Sequence, residues 1–285
     1  MRQDIIDLYD AFTHGAMARR DFLKRLARLA GGAAAASALI SLLENDYARA
    51  AVVAADDARI KTSYTEFDFA RLTGAYVAEP ADRAGPTPAV IVIHENRGLN
   101  PHIEDVARRL AVEGFGAYAV DMLTPFGGTP NDEDEARKLI RQLDAVKTTR
   151  ALAAIAAYLK AAKTHNGKVG ALGFCWGGGM VNRLAAAAPG LDAGVAYYGR
   201  QIAAEEAAKI RAAMLLHYAG LDSRINSGIA DYEKALKAAG VDYRLYMYEG
   251  AQHAFNNDTN EARYDKAAAM LAWSRTTAFF REKLA

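Results

Sequence analysis

The chain has 285 residues, 35 Lys+Arg against 34 Asp+Glu, with 52% hydrophobic and 24% charged residues. This composition supports a substantial buried core, excludes a disordered chain, and offers no excess charge for holding nucleic acid or an anionic surface. Its single cysteine, Cys175, excludes an intramolecular disulfide framework and a cysteine-based zinc site.

Residues 1–50 differ in character from the rest of the chain. Seven of the basic and six of the acidic residues lie there, leaving 28 of each beyond. The stretch Ala18-Arg19-Arg20-Asp21-Phe22-Leu23-Lys24 resembles a twin-arginine export signal, departing only at its first position. The mildly apolar, Gly-interrupted run of 15 residues from Leu29 to Leu43 is too short for a stable membrane anchor, and Ala48-Arg49-Ala50 has the small residues a signal peptidase reads. The resemblance implies a partner, the twin-arginine machinery, and a periplasmic or secreted product. Against this, Ile5, Ile6, Leu8, Tyr9 and Phe12 fit one face of a helix that stays on the protein, with a cytoplasmic location as the alternative.

Residues 51–285 read as a single α/β domain. Ser63 to Phe69 and Leu72 to Ala78 open it as an antiparallel pair. The continuous apolar run Ala89 to His94 suits a strand buried on both faces, and Gly116–Val120, Lys168–Gly173, Ala193–Tyr198, Ala212–Tyr218 and Tyr243–Tyr248 follow it. Helical stretches lie between and after them at Ile103–Val112, Glu133–Lys163, Gly178–Ala188, Ile225–Ala239 and Glu261–Glu282. The alternation predicts a mostly parallel sheet with helices on both faces, in which chemistry gathers at the carboxyl ends of the strands.

Taken in chain order, the strand ends carry a consistent set. The first, His94-Glu95-Asn96-Arg97-Gly98-Leu99, invites a zinc reading through His-Glu, but the second histidine such a site needs is replaced by Gly98. Gly173-Phe174-Cys175-Trp176-Gly177-Gly178 has the form of a nucleophile elbow with cysteine as nucleophile. Side chains two before and two after it would clash in so tight a turn, and the helix that follows favours a thiolate and then an oxyanion. An elbow requires an acid and then a histidine, each at a later strand end. Only His253 comes late enough outside a strand, since His217 lies within one, and Asp222 follows the strand ending at Tyr218. Asp222 also reads as a helix N-cap, and His253 as a loop histidine bonded to backbone. The backbone N–H groups of Trp176 and Asn96 are the expected oxyanion hole.

These residues, together with Ala196-Tyr197-Tyr198-Gly199 and His253-Ala254-Phe255, resemble the dienelactone hydrolase family of the α/β-hydrolase fold over about residues 63–283. The resemblance implies that Glu95 contacts Cys175 and helps to generate its thiolate. It also implies an arginine four positions after His253 for the substrate carboxylate. Asn257 stands there instead, which leaves Arg97, Arg200 and Tyr198 as candidates for substrate binding. The expected function is hydrolysis of an activated ester or lactone through a Cys175 thioester, with no cofactor or metal. The alternative is a ligand-binding or redox-sensing protein on the same fold.

Overall fold

The structure is a computed structural model describing residues 1–15, 17–47, 51–70 and 73–285. Ala48-Arg49-Ala50, the expected cleavage site, and Leu72, the expected start of the second strand, lie outside the described residues.

Eight strands form one sheet: β1 (Ile60–Phe67), β2 (Thr73–Pro80), β3 (Thr87–Ile93), β4 (Gly116–Asp121), β5 (His165–Phe174), β6 (Ala193–Tyr197), β7 (Ala213–Ala219) and β8 (Tyr243–Tyr248). Their order is β1-β2-β4-β3-β5-β6-β7-β8. The pairing β1–β2 is antiparallel, as the opening pair predicts; β2–β4 is antiparallel as well, and the remainder are parallel, as the later apolar runs predict. Period-two alternation divides the strands between two cores. Val90 and Val92 face Ile103, Val106 and Leu110 of α4 (Pro101–Val112) and Phe279 and Phe280 of the C-terminal helix (Lys266–Leu284). Ala89, Ile91 and Ile93 face the opposite side, where Leu152, Ile155 and Leu159 pack with Val181 and Leu184.

The stretch 133–163, read as one helix, is two: α5 (Glu133–Gln142) and α6 (Ala145–Ala161). Asp144 breaks it, because its side chain accepts from Val146 N and Lys147 N and so starts α6 as an N-cap. Next come α7 (Trp176–Ala187) and α8 (Ala204–Ala207). The stretch read as Ile225–Ala239 divides likewise, into α9 (Ser223–Asn226) and α10 (Ile229–Ala238), and Lys266–Leu284 is α11.

Three N-terminal helices, α1 (Gln3–His14), α2 (Arg19–Ala30) and α3 (Ala33–Leu43), form a separate apolar cluster in which Phe12 stacks on Phe22 at 4.5 Å. Gly31, at φ +81°, caps α2, and the chain bends by 112° between α2 and α3. No single described helix is long and apolar enough to cross a membrane.

Candidate active site

The elbow is built as its glycines require. Cys175 sits between β5 and α7 at φ +53°, ψ −112°, a conformation that L-residues rarely adopt. A Cβ on Gly173 would lie 2.3 Å from Gly177 O, and one on Gly177 would lie 2.3 Å from Ile93 O at the end of β3. The two glycines therefore let the turn close on itself and against the neighbouring strand. Tyr198 (φ +38°) and Ala254 (φ +67°) are the other described non-glycine residues with positive φ, so the strained backbone clusters around this site.

Asp222 follows β7 and His253 follows β8, both nearly inaccessible at 4% and 1% exposure. Asp222 makes two hydrogen bonds, one to each neighbour that its two readings call for. Its Oδ1 accepts from Ile225 N at 3.2 Å, capping α9, while its Oδ2 accepts a short hydrogen bond from His253 Nδ1. The His253–Asp222 hydrogen bond uses Nδ1 and leaves the buried Nε2 for the cavity side of the ring, which Cys175 shares. Burial lowers the pKa of His253, but the charge of Cys175 and the Asp222 carboxylate outweigh it and push the value up to about 10.

The hydrogen bond of Cys175 Sγ goes to a residue outside the expected set: His14 at the end of α1, whose Nε2 lies 3.3 Å from the sulfur. Its ring also meets that of His253 edge-on at 4.6 Å. Burial, then repulsion from His253, Arg224 and Arg263, holds His14 well below the ordinary histidine pKa, so this imidazole stays neutral. Glu95 is buried, and its Oε2 accepts from Asn257 Nδ2 at 2.9 Å while Oε1 has no partner. The residue that departs from the family pattern at 257 thus holds the glutamate. His94 is used on both ring nitrogens, by Glu95 O at 2.6 Å and Met122 N at 3.2 Å, and stacks on Trp176.

These residues border a cavity of about 360 Å³ lined by Cys175, His253, Trp176, Asn96, Tyr198 and His14 among others. Among the described residues, five arginines also line it, Arg137, Arg141, Arg183, Arg200 and Arg224, and no carboxylate does. Arg200 is exposed within it, whereas the Tyr198 hydroxyl is buried there without a partner. Arg97 is a correction to the expected substrate-binding set. It is 4% exposed and outside the cavity lining, with Nε on Glu133 at 2.7 Å and Nη2 on Tyr9 Oη at 2.9 Å, so its guanidinium is already committed. His14, Cys175 and His253 bring nitrogen and sulfur atoms within 4.8 Å of one another, a set of soft metal-ligand type, although the arginine-lined cavity opposes a cation. His14 escapes sequence reasoning because it stands at no strand end, and Arg224, whose Nη2 lies 3.5 Å from His253 Nδ1, because it follows β7 without belonging to a motif.

A family model described as "Dienelactone hydrolase family" matches residues 73–284, and one described as "YqhI-like" matches residues 1–32. A protein of Escherichia coli (strain K12) named "Putative carboxymethylenebutenolidase" is 34% identical over 223 residues, 73% of this chain and 82% of the relative. One of the same name from Saccharolobus solfataricus is 34% identical over 243 residues, 73% of this chain and 93% of the relative. Among solved structures, a dienelactone hydrolase from Klebsiella pneumoniae, given as putative in its name, superposes with a TM-score of 0.70 at 29% identity, covering 78% of this chain and 98% of that one. A dienelactone hydrolase-like promiscuous phosphotriesterase from metagenomic libraries also gives 0.70, at 26% identity, covering 80% and 100%. With its α/β-hydrolase sheet, its elbow and these relatives, the chain belongs to the dienelactone hydrolase family of hydrolases.

Proposed function

We propose that the protein hydrolyses activated esters or lactones that carry an anionic group, through a Cys175 thioester. The observation that carries this reading is the convergence of Cys175 and His253, the latter bonded to Asp222 behind it, on one cavity rich in arginine and, among the described residues, free of lining carboxylates. With its pKa near 10, His253 is an imidazolium at neutral pH, and in this reading the reaction starts from the thiolate form of Cys175 beside it.

The thiolate attacks the carbonyl carbon, forming the C–S bond, and the backbone N–H groups of Trp176 and Asn96 receive the oxyanion. Collapse breaks the C–O bond, and His253 gives its proton to the departing oxygen. Thioester formation removes the thiolate charge that held the His253 proton, so the ring is then a neutral base. It takes a proton from water as the water oxygen attacks the thioester. Collapse expels the thiolate, releases the carboxylic acid and restores the ion pair.

Thiolate leaves more readily than a simple alkoxide, so an adduct with an alkyl ester returns to substrate, whereas enol and aryl esters go forward. Arg200 and Arg224, both in the cavity lining, are the groups best placed to receive an anionic substituent. A screen of enol lactones, aryl esters and alkyl esters, each with and without a carboxylate, against wild type and Cys175→Ala tests the reading. Anionic enol and aryl substrates are expected to react fastest and to be untouched by the variant. Full hydrolysis by Cys175→Ala would sink the nucleophile assignment. Export of the folded chain belongs to the same reading, supported by the stretch Ala18–Lys24; activity confined to the cytoplasmic fraction would count against it.

A further inference from the structure

The structure assigns the N-terminal helices to the catalytic machinery: we propose that α1–α3 remain on the active protein, with the end of α1 (Thr13 and His14) closing one side of the cavity, and that His14 is a positioning residue for the Cys175 sulfur. The proposal rests on Cys175 being the nucleophile.

Two independent observations carry it. The first is the contact itself. A neutral imidazole has one donor and one acceptor nitrogen. When Cys175 is a thiol, His14 Nε2 accepts its proton while Nδ1–H donates to Asp10 O at 3.1 Å. When Cys175 is a thiolate, Nε2–H donates to it while Nδ1 accepts from the Thr13 hydroxyl at 3.1 Å. Both states of the nucleophile therefore find a partner at the same atom without added charge, and the sulfur keeps its place as the proton comes and goes.

The second is that the body is equipped to receive α1. Asn96, in the expected oxyanion loop, donates its side-chain N–H to Thr13 O at 3.0 Å. Arg97 and Arg263, at 4% and 2% exposure, send guanidinium N–H groups to Tyr9 Oη and to Asp10 Oδ1, the latter at 3.0 Å. Arg137 of α5 lies over the Phe12 ring at 4.5 Å. Removing α1 would strip these buried cations of partners supplied by the helix, a costly change for charges kept from water. The solved neighbours, whose own chains are covered at 98–100%, cover only 78–80% of this chain, and the family model begins at residue 73, so the N-terminal helices are an addition to the shared domain. Arg19 of the twin-arginine stretch is itself part of the docking, bonded to Glu44 at 2.7 Å and to Asp134 of α5 at 3.2 Å. The segment serves export and catalysis together only if it stays attached.

The test uses the full-length chain with His14→Phe, which keeps the ring and loses the hydrogen bond, and His14→Gln, which restores a donor and acceptor. The rate of Cys175 alkylation by iodoacetamide is followed against pH, beside kcat and KM on an aryl ester and the thermal midpoint. The expected result is a shifted alkylation profile and a kcat lower by about ten- to a hundredfold in His14→Phe, with KM little changed and substantial recovery in His14→Gln. Equal alkylation profiles in all three chains would overturn the proposal while leaving the hydrolase reading intact. Cys175→Ala hydrolysing normally would instead remove the reading, and the alkylation profiles would still report on the His14–Cys175 pair. Intact mass of the active protein from its own cells should include residues 1–43; an active form lacking them would overturn the proposal directly.

Discussion

Asp222 joins a contact of the fold and a contact of the proposed catalytic site in one side chain. One carboxylate oxygen starts α9 and the other orients His253, so the N-cap reading and the triad reading of the sequence describe the same atom group. Substituting Asn separates them. Asp222→Asn keeps a carbonyl oxygen for Ile225 N, but turns an amide toward His253 Nδ1 and removes the negative charge that helps to raise the ring's pKa. The expected loss in kcat is about 10²–10⁴-fold with the fold retained, and the basic limb of the kcat/KM profile should move to lower pH. Unchanged kcat and an unmoved basic limb in that variant would contradict the role given to Asp222. Residues of this kind are legible in sequence because strand order constrains them: an elbow, then an acid, then a histidine, each just past an apolar run. His14 has no such constraint. It lies 161 positions from Cys175, and the amphipathic stripe Ile5, Tyr9 and Phe12 announces a helix without saying which surface it covers. Arg97 is the reverse case. Its place beside a strand end is correctly legible, but Tyr9 and Glu133 claim its guanidinium from two segments remote in sequence.

At the scale of elements, the β5–α7 turn is where sequence spacing translates most directly into geometry. The glycine at 177 packs its α-carbon against the carbonyls of Ile93 and His94, so the elbow and the expected oxyanion loop are locked together through backbone. Gly177→Ala should therefore harm both parts of the site. The added methyl would meet Ile93 O at 2.3 Å, and neither backbone can yield easily. A loss of stability of about 1–3 kcal/mol is expected from overpacking, read as a lower urea midpoint, accompanied by lost hydrolysis even where the protein remains folded. Full activity in Gly177→Ala would mean that the two loops are not held in register by this contact. Other elements are less legible for local reasons. The periodicity of residues 133–163 continues through the break at Asp144, and only the side-chain cap, an atomic detail, ends one helix and begins the next. Residue 68 fits a strand pattern, yet β1 ends at Phe67 and residues 68–70 form a 3-10 turn.

For the molecule as a whole, the buried histidines set a pH window for stability. Burial lowers the pKa of His14, His94, His165 and His217, that of His217 to about 3, so these rings fold in their neutral form. In the unfolded chain they titrate near about 6.5. Their contribution is present above that value and is lost as pH falls toward the folded values, because the unfolded state then binds protons that the folded state does not. His253 has the opposite sign. Its raised pKa contributes stability that is full below about 6.5 and lost as pH rises through about 10. Between about pH 4.5 and 6.5 His253 is protonated when folded, and its titration in the unfolded chain is the only part opposing the four lowered rings. Acidification across this range should therefore destabilise the protein, by a few kcal/mol in order of magnitude, with further loss as Asp222, Glu133 and Asp258, whose pKa values lie below the ordinary carboxylate range, take up protons. Urea unfolding at pH 8 and at pH 5 tests this: the midpoint should be higher at pH 8. His217 lies away from the cavity, between Tyr248 and Thr276, so His217→Gln should flatten the difference without supplying a new titrating group. Equal midpoints at the two pH values would show that these rings accept protons in place, and that the neutral His14 inferred beside Cys175 needs another cause.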